Sequence, residues 1–159
     1  MNTHVKFHDV EEQLWFLNGW MTIMRSSQAG RDGVSIMEFH IPHGDSPPTH
    51  VHHDEDEIFH LLEGRMRFRV GDKEFVLEPG NTVVAPKGVP HCFRVESKEG
   101  ARGLNIMPGP HFESFVRDMA RPADALTLPP RIEPTPEMIK LLAETAARYN
   151  IEVIGPPMA

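Results

Sequence analysis

The sequence predicts an all-β fold with a short C-terminal helical extension, and three observations support this. From Leu14 to about His111, short apolar runs alternate with Gly, Pro and Asp punctuation, the pattern of many short antiparallel strands. No helical period interrupts that stretch, and helical patterning begins only beyond residue 108. Strands of this kind close best as a barrel or a double-sheet roll, because closure removes the exposed edges through which strands aggregate.

The expected strands, in order, are Leu14–Arg25, Gly33–Ile41, His50–His52, Glu57–Glu63, Arg65–Val70, Lys73–Leu77, Thr82–Ala85, His91–Glu96 and Arg102–Met107. Turn pairs at Glu63-Gly64, Gly71-Asp72, Pro79-Gly80 and Lys87-Gly88 separate several of them, each supplying residues that tolerate tight backbone reversal. His111–Ala120 then reads as a short helix with Phe112, Phe115, Val116 and Met119 on one face. A Pro-rich connector, Arg121–Pro136, leads to Thr135-Pro136-Glu137, which supplies an N-cap, a first-turn proline and a first-turn acid. That helix should run to about Tyr149 with Ile139, Leu142, Ala143 and Ala146 inward, and Gly155-Pro156-Pro157 should stop any regular element. The barrel is accordingly placed at residues 1–108, and the connector and helices, packed on its outside or on a partner subunit, at 109–159.

A chain of 159 residues can build one substantial core and little more. Its 16 Lys and Arg against 23 Asp and Glu give a net charge of −7, and no basic run exists to track a phosphate backbone, which argues against nucleic acid as a partner. Cys92 is the single cysteine, so no intrachain disulfide can form and a reducing compartment is the simpler setting. The start, MNTHVKFHDVEEQ, has no apolar signal-like run, and no later stretch is long and apolar enough to span a bilayer. A soluble cytoplasmic protein is expected.

The chemistry is concentrated in the histidines. Six of the ten fall between residues 40 and 60, a density that alone is compatible with loose metal binding. Side chains alternate across a strand, so His50 and His52 share a face while Val51 and His53 take the other. Glu57 lies at an odd offset from that pair, so an irregularity at His53–Asp56 must reset the phase, and the acidic Asp54-Glu55-Asp56 run suits an exposed corner. From Glu57 the inward phase continues through Phe59 and Leu61, and on a later strand His91 shares its side with Phe93 and Val95. Three imidazoles and one carboxylate suit a divalent transition metal: Fe, Mn, Ni, Co, Cu or Zn, with iron slightly favoured. The other histidines are out of phase or near turns: His40, His43, His53 and His60 read as surface or supporting groups, His4 and His8 as tail residues, and His111 as the start of a helix. Cys92, out of phase beside His91, reads as a small buried apolar residue. Met37, Phe39, Phe59, Leu61, Phe68, Phe93 and Val95 are candidates for an apolar pocket above the metal, although barrel packing accounts for them equally well. Arg65, Arg67 and Arg69 alternate with apolar residues and read as a solvated outer face with no special partner.

The glycines and prolines extend the pattern. Gly44, five residues, His50-x-His52, four residues, Glu57, six residues and Gly64 are followed by Gly80, five residues, Pro86-x-Gly88, two residues and His91. With these two motifs the chain resembles the cupin superfamily, its motif core spanning residues 44–95, and the region between motifs, Arg65–Pro79, has the short length common in bacterial single-domain members. The family pattern usually places Asn at position 95, where this chain has Val95, which makes the pocket more apolar without touching a ligand. The segments LWFLNGWMTIM, HFESFVRDMARPA and YNIEVIGPP look like those of bacterial quercetinase-like single cupins. The resemblance implies a double-stranded β-helix barrel, usually in a homodimer, with a metal held inside one end by His50, His52, Glu57 and His91.

Three functions are compatible with such a site. The leading expectation is a mononuclear metal-dependent dioxygenase acting on a small aromatic, enol or diketone substrate, with dioxygen as co-substrate and Glu57 serving as ligand and general base. An isomerase or cyclase would use the same Lewis acid without oxygen. A non-catalytic small-ligand-binding cupin is the third, since one architecture serves many functions.

Overall fold

The computed structural model describes residues 12–29 and 31–159; His4 and His8 lie outside the described residues. The chain forms strands β1 (Glu12–Phe16), β2 (Gly19–Arg25), β3 (Ser35–Ile41), β4 (Pro48–His52), β5 (Glu57–Glu63), β6 (Met66–Val70), β7 (Lys73–Leu77), β8 (Thr82–Ala85), β9 (His91–Val95) and β10 (Ala101–Met107). Helix α1 (His111–Met119), the short strand β11 (Arg121–Pro122), helix α2 (Pro136–Ala147) and strand β12 (Ile151–Pro157) follow. Two antiparallel sheets result, one ordered β11-β1-β2-β3-β10-β5-β8 and the other β12-β4-β9-β6-β7, the mostly β double-sheet roll with a helical C-terminal part that the sequence pattern predicts.

Alternation along the strands builds the interior. In β5, Glu57, Phe59 and Leu61 are buried while Ile58 and His60 are only half-buried; in β3, Met37 and Phe39 point inward in the same rhythm. Met37, Phe39, Phe59 and Leu61 join Met66, Phe68, Phe93, Val95 and Met107 in one apolar cluster. A second cluster, Phe115, Ala146 and Ile151, lies where α1, α2 and β12 meet.

Several expectations need correction. The run Leu14–Arg25 is a hairpin, broken at Leu17-Asn18 where Leu17 takes a left-handed φ of 55°. Gly155-Pro156-Pro157 does not end regular structure: β12 carries on through it, paired with β4, with register shifts on either side of Gly155. Strand β12 is an edge strand, where the missing N–H of a proline removes no ladder bond from an interior neighbour. Ile139 is half exposed on α2, while Thr145 is buried instead. The Thr135 hydroxyl accepts from the Met138 N–H, as expected of its N-cap. Among the described residues no helix is long and apolar enough to cross a membrane.

Candidate metal centre

Strand β4 delivers His50 and His52, β5 delivers Glu57 and β9 delivers His91, with His50 and His91 directly opposite in the β4–β9 ladder. Bends at His53 and Asp54 supply the reset of phase that brings Glu57 to the same interior. Their potential donor atoms all lie within 4.8 Å of one another. The Nε2 atoms of His91, His52 and His50 stand 2.8, 3.3 and 3.9 Å from a single oxygen, Oε2 of Glu57. His52, Glu57 and His91 are buried, and His50 is the most exposed of the four.

Hydrogen bonds fix which ring nitrogens face the centre. The carbonyl of Pro48 accepts from His50 Nδ1 at 2.8 Å, and that of Val89 accepts from His91 Nδ1 at 2.9 Å. A carbonyl only accepts, so in the neutral rings Nδ1 carries the proton and Nε2 presents its lone pair to Glu57. Lone pairs directed at a carboxylate repel it, so the arrangement calls for a positive charge between them, either a proton or a metal ion. His52 makes the same case differently: among the described residues neither of its ring nitrogens has a hydrogen-bond partner although the ring is buried. A buried imidazole with two unpartnered nitrogens is costly unless one of them ligates. The donor set, its burial and this orphaned ring fit a divalent transition metal.

The electrostatics follow from crowding. Burial pushes His52 down to about 4, with the neighbouring His50 and His91 acting in the same sense and Glu57 opposing them. Burial also works against a charge on Glu57, but His52 and the contacts from His50 and His91 outweigh it and hold the carboxyl well below its ordinary range. For His91 burial favours the neutral ring, yet the hydrogen bond and charge of Glu57 prevail and raise it. The site is thus an ionised carboxylate among imidazoles, with His52 neutral down to acid pH.

Three neighbours escape the sequence reading. Asn105, inward on β10, donates from Nδ2 to Glu57 Oε1 at 2.7 Å. Phe112 of α1 sets its ring edge against His52, centroids 5.5 Å apart. Glu55 is not at an exposed corner: it is buried, and its carboxylate accepts from the first backbone N–H groups of α1, His111 at 2.6 Å and Phe112 at 3.0 Å. An acid there complements the positive end of the helix dipole, and it ties the metal-motif corner to the helix that carries Phe112. Only Asn105's in-phase position, two residues from Gly103 and Met107 on one face, was visible as a signal.

The remaining candidates are accounted for. Met37, Phe39, Phe59, Leu61, Phe68, Phe93 and Val95 are all buried within the central cluster. Cys92 is fully buried. His53 pairs with Glu152, His60 with Thr82 and His43 with the Ser97 carbonyl. Arg65, Arg67 and Arg69 do have partners: they interleave with Glu74, Glu78 and Glu96 in a ladder of ion pairs on the outer face.

Residues 37–107 match the family model of the cupin domain. Over 102 residues, 61% of the chain, the sequence is 33% identical to acireductone dioxygenase of Homo sapiens, covering 51% of that protein. Over 76 residues, 48% of the chain, it is 29% identical to quercetin 2,3-dioxygenase of Bacillus subtilis, covering 23% of it. The chain thus spans about half or less of these curated relatives. Among solved structures it resembles one described as a predicted oxalate decarboxylase from Thermotoga maritima, with a TM-score of 0.58 at 18% identity over 65% of this chain and 98% of that one. The cupin domain of Schizosaccharomyces pombe Cnp3 gives 0.53 at 15% identity over 70% and 77%. At these identities the structural likeness speaks for the fold alone.

Proposed function

We propose that the chain, whose residues 37–107 match the family model of the cupin domain, is a mononuclear metal-dependent dioxygenase acting on a small aromatic, enol or diketone compound. The observation that carries the reading is the convergence of three imidazole Nε2 atoms on one carboxylate oxygen, in a domain whose curated relatives include two named dioxygenases.

In this reading His50, His52, Glu57 and His91 would hold the metal, the three imidazoles presenting Nε2 and the carboxylate Oε2. When bound, a divalent transition metal supplies Lewis acidity toward an ionised substrate oxygen and redox access to dioxygen. The protein contributes the rest. The Pro48 and Val89 carbonyls lock the His50 and His91 rings in the tautomer that leaves Nε2 free. Glu57 would alternate between ligand and general base, Oε2 taking the proton of a substrate hydroxyl as it is released from the metal while Oε1 stays engaged by Asn105. Substrate approaches on the side of His50, whose side chain is 13% exposed against 1–3% for the other three. Phe112 covers the His52 ring, and Phe59 and Phe93, each two residues beyond a ligand on the same strand face, form an apolar floor.

Oxygen consumption by protein reconstituted separately with Fe(II), Mn(II), Ni(II), Co(II) and Cu(II), screened on phenols, enols and β-diketones, tests this. Uptake that requires metal and is lost in His50→Ala and His91→Ala is expected. Metal-loaded protein inert toward oxygen with the whole panel would contradict it, and turnover of the same compounds without oxygen would move the chain to an isomerase or cyclase.

A further inference from the structure

Asn105 sits in the middle of β10, paired with Met37 on β3 and Phe59 on β5. Both partners are apolar side chains with no hydrogen bond to give or take. The Asn105 side chain is 1% exposed; Nδ2 donates to Glu57 Oε1 at 2.7 Å, while Oδ1 has no partner among the described residues. The orientation of the amide follows from charge, because turning it over would set its carbonyl oxygen against an ionised carboxylate. A buried carbonyl without a donor destabilises the fold by roughly 1–3 kcal/mol, and a leucine at this position would remove that cost only by leaving Oε1 of the buried Glu57 without its donor. As a packing residue Asn105 is therefore a poor choice. Its one bond is to the carboxylate of the metal centre.

That bond has a consequence for coordination. A carboxylate ligates a metal through one oxygen or through both, and the difference decides how many positions remain for anything else. The three imidazole Nε2 atoms gather on Oε2, and Asn105 engages Oε1 with a hydrogen bond. We infer that Asn105 is a positioning residue that restricts Glu57 to a single donor oxygen, so that the centre has four protein donors and keeps a position open for an exogenous ligand. The inference rests on the proposed metal site and deepens it: the same four residues with a two-oxygen Glu57 would make a more closed centre. Without Asn105 the carboxyl group is free to rotate and bring Oε1 in.

The test uses Co(II), whose visible spectrum reports coordination number, with azide as the exogenous ligand. Full-length wild type, Asn105→Leu and Asn105→Ala are titrated with Co(II) and then with azide, and each metal-free protein is melted alongside. Wild type should bind one Co(II) and respond to azide with a change in the visible bands. Both variants should keep a cooperative melt, bind Co(II) roughly 10-fold or more differently, as carboxylate-supporting residues typically do, show shifted bands, and lose azide affinity by at least about 10-fold. Variants that differ from wild type only in the melting of the metal-free protein, with the same Co(II) spectrum and the same azide affinity, would overturn the assignment and leave Asn105 a structural residue. Failure of wild type itself to bind Co(II) would instead strike the proposed metal site, so the two failures are distinguishable.

Discussion

His52 is the ligand candidate whose titration is governed by burial, which outweighs the opposing charge of Glu57. Both ring nitrogens are buried without a partner among the described residues, and burial holds its pKa down to about 4. Unfolded, the same ring would titrate near 6.5, so between about pH 6.5 and pH 4 the unfolded chain binds a proton that the native chain does not. Stability therefore falls as the pH falls through that window, by about 3 kcal/mol from this ring. Urea denaturation of the metal-free protein at pH 7 and pH 4.5 should show the loss, and His52→Leu should remove most of the difference; an unchanged pH dependence in the variant would show that the ring is not held neutral. Glu57 acts in the same direction at lower pH, since a carboxyl held below its ordinary range stabilises the fold above that range and ceases to do so as acid protonates it. His91, raised by Glu57, has the opposite sign: its contribution is complete below about 6.5 and fades as the pH climbs through its higher native value. Metal competes with protons for these same nitrogens, so occupancy measured by equilibrium dialysis should weaken below about pH 6. Occupancy unchanged down to pH 4 would mean that imidazoles are not the dominant ligands.

Elements place these residues through short corners and long-range pairings. Gly64, between β5 and β6, has φ of +88°, and a Cβ there would strike the Gly100 carbonyl oxygen and the Ser97 hydroxyl. Gly64→Ala should therefore destabilise the fold by roughly 1–3 kcal/mol, read as a fall in the thermal midpoint; a neutral effect would show that the corner can rearrange. Glu55 joins the β4–β5 corner to α1 by accepting two of its free N–H groups. Glu55→Ala should cost about 1–2 kcal/mol, the usual loss for a removed N-terminal cap, and should loosen Phe112 against His52, visible as broadened aromatic resonances. Local pattern made the metal set readable from the sequence, since strand alternation and the bend at His53–Asp54 depend only on neighbouring residues. Asn105, Glu55 and β12 were not readable in that way. Each takes its role from a partner 48 or more positions away in the chain, and nothing within a short window distinguishes a buried capping glutamate from an exposed one.

At the scale of the whole molecule, the C-terminal segment is part of the β architecture. Strand β12 pairs with β4, the strand that carries His50 and His52, and Ile151 sits directly opposite His52. Helix α1 adds Phe112 and, with α2, the second apolar cluster. A chain ending after residue 108 would leave β4 as an unpaired sheet edge, a site for aggregation. That truncation should express as aggregated protein or bind metal far more weakly than the full chain, and a soluble truncated barrel with unchanged metal affinity would contradict the integration argued from β12. Metal binding should also be felt globally. A ligand that binds only the native state at about 100 times its Kd stabilises by roughly 2.7 kcal/mol, which for a domain of this size raises the melting temperature by roughly 5–10 °C. Calorimetry with and without Co(II) checks it, and His91→Ala should abolish the rise.

The central claim, a single metal held by side chains from three strands with a position left open, is tested most directly by a crystal structure of the full chain grown with Mn(II) or Co(II), using anomalous scattering to locate the ion. One strong peak is expected, bounded by Nε2 of His50, His52 and His91 and by Oε2 but not Oε1 of Glu57, with at least one further coordination position on the His50 side filled by solvent. A peak elsewhere, or an ion closed off in a tetrahedron by the four side chains alone, would contradict it.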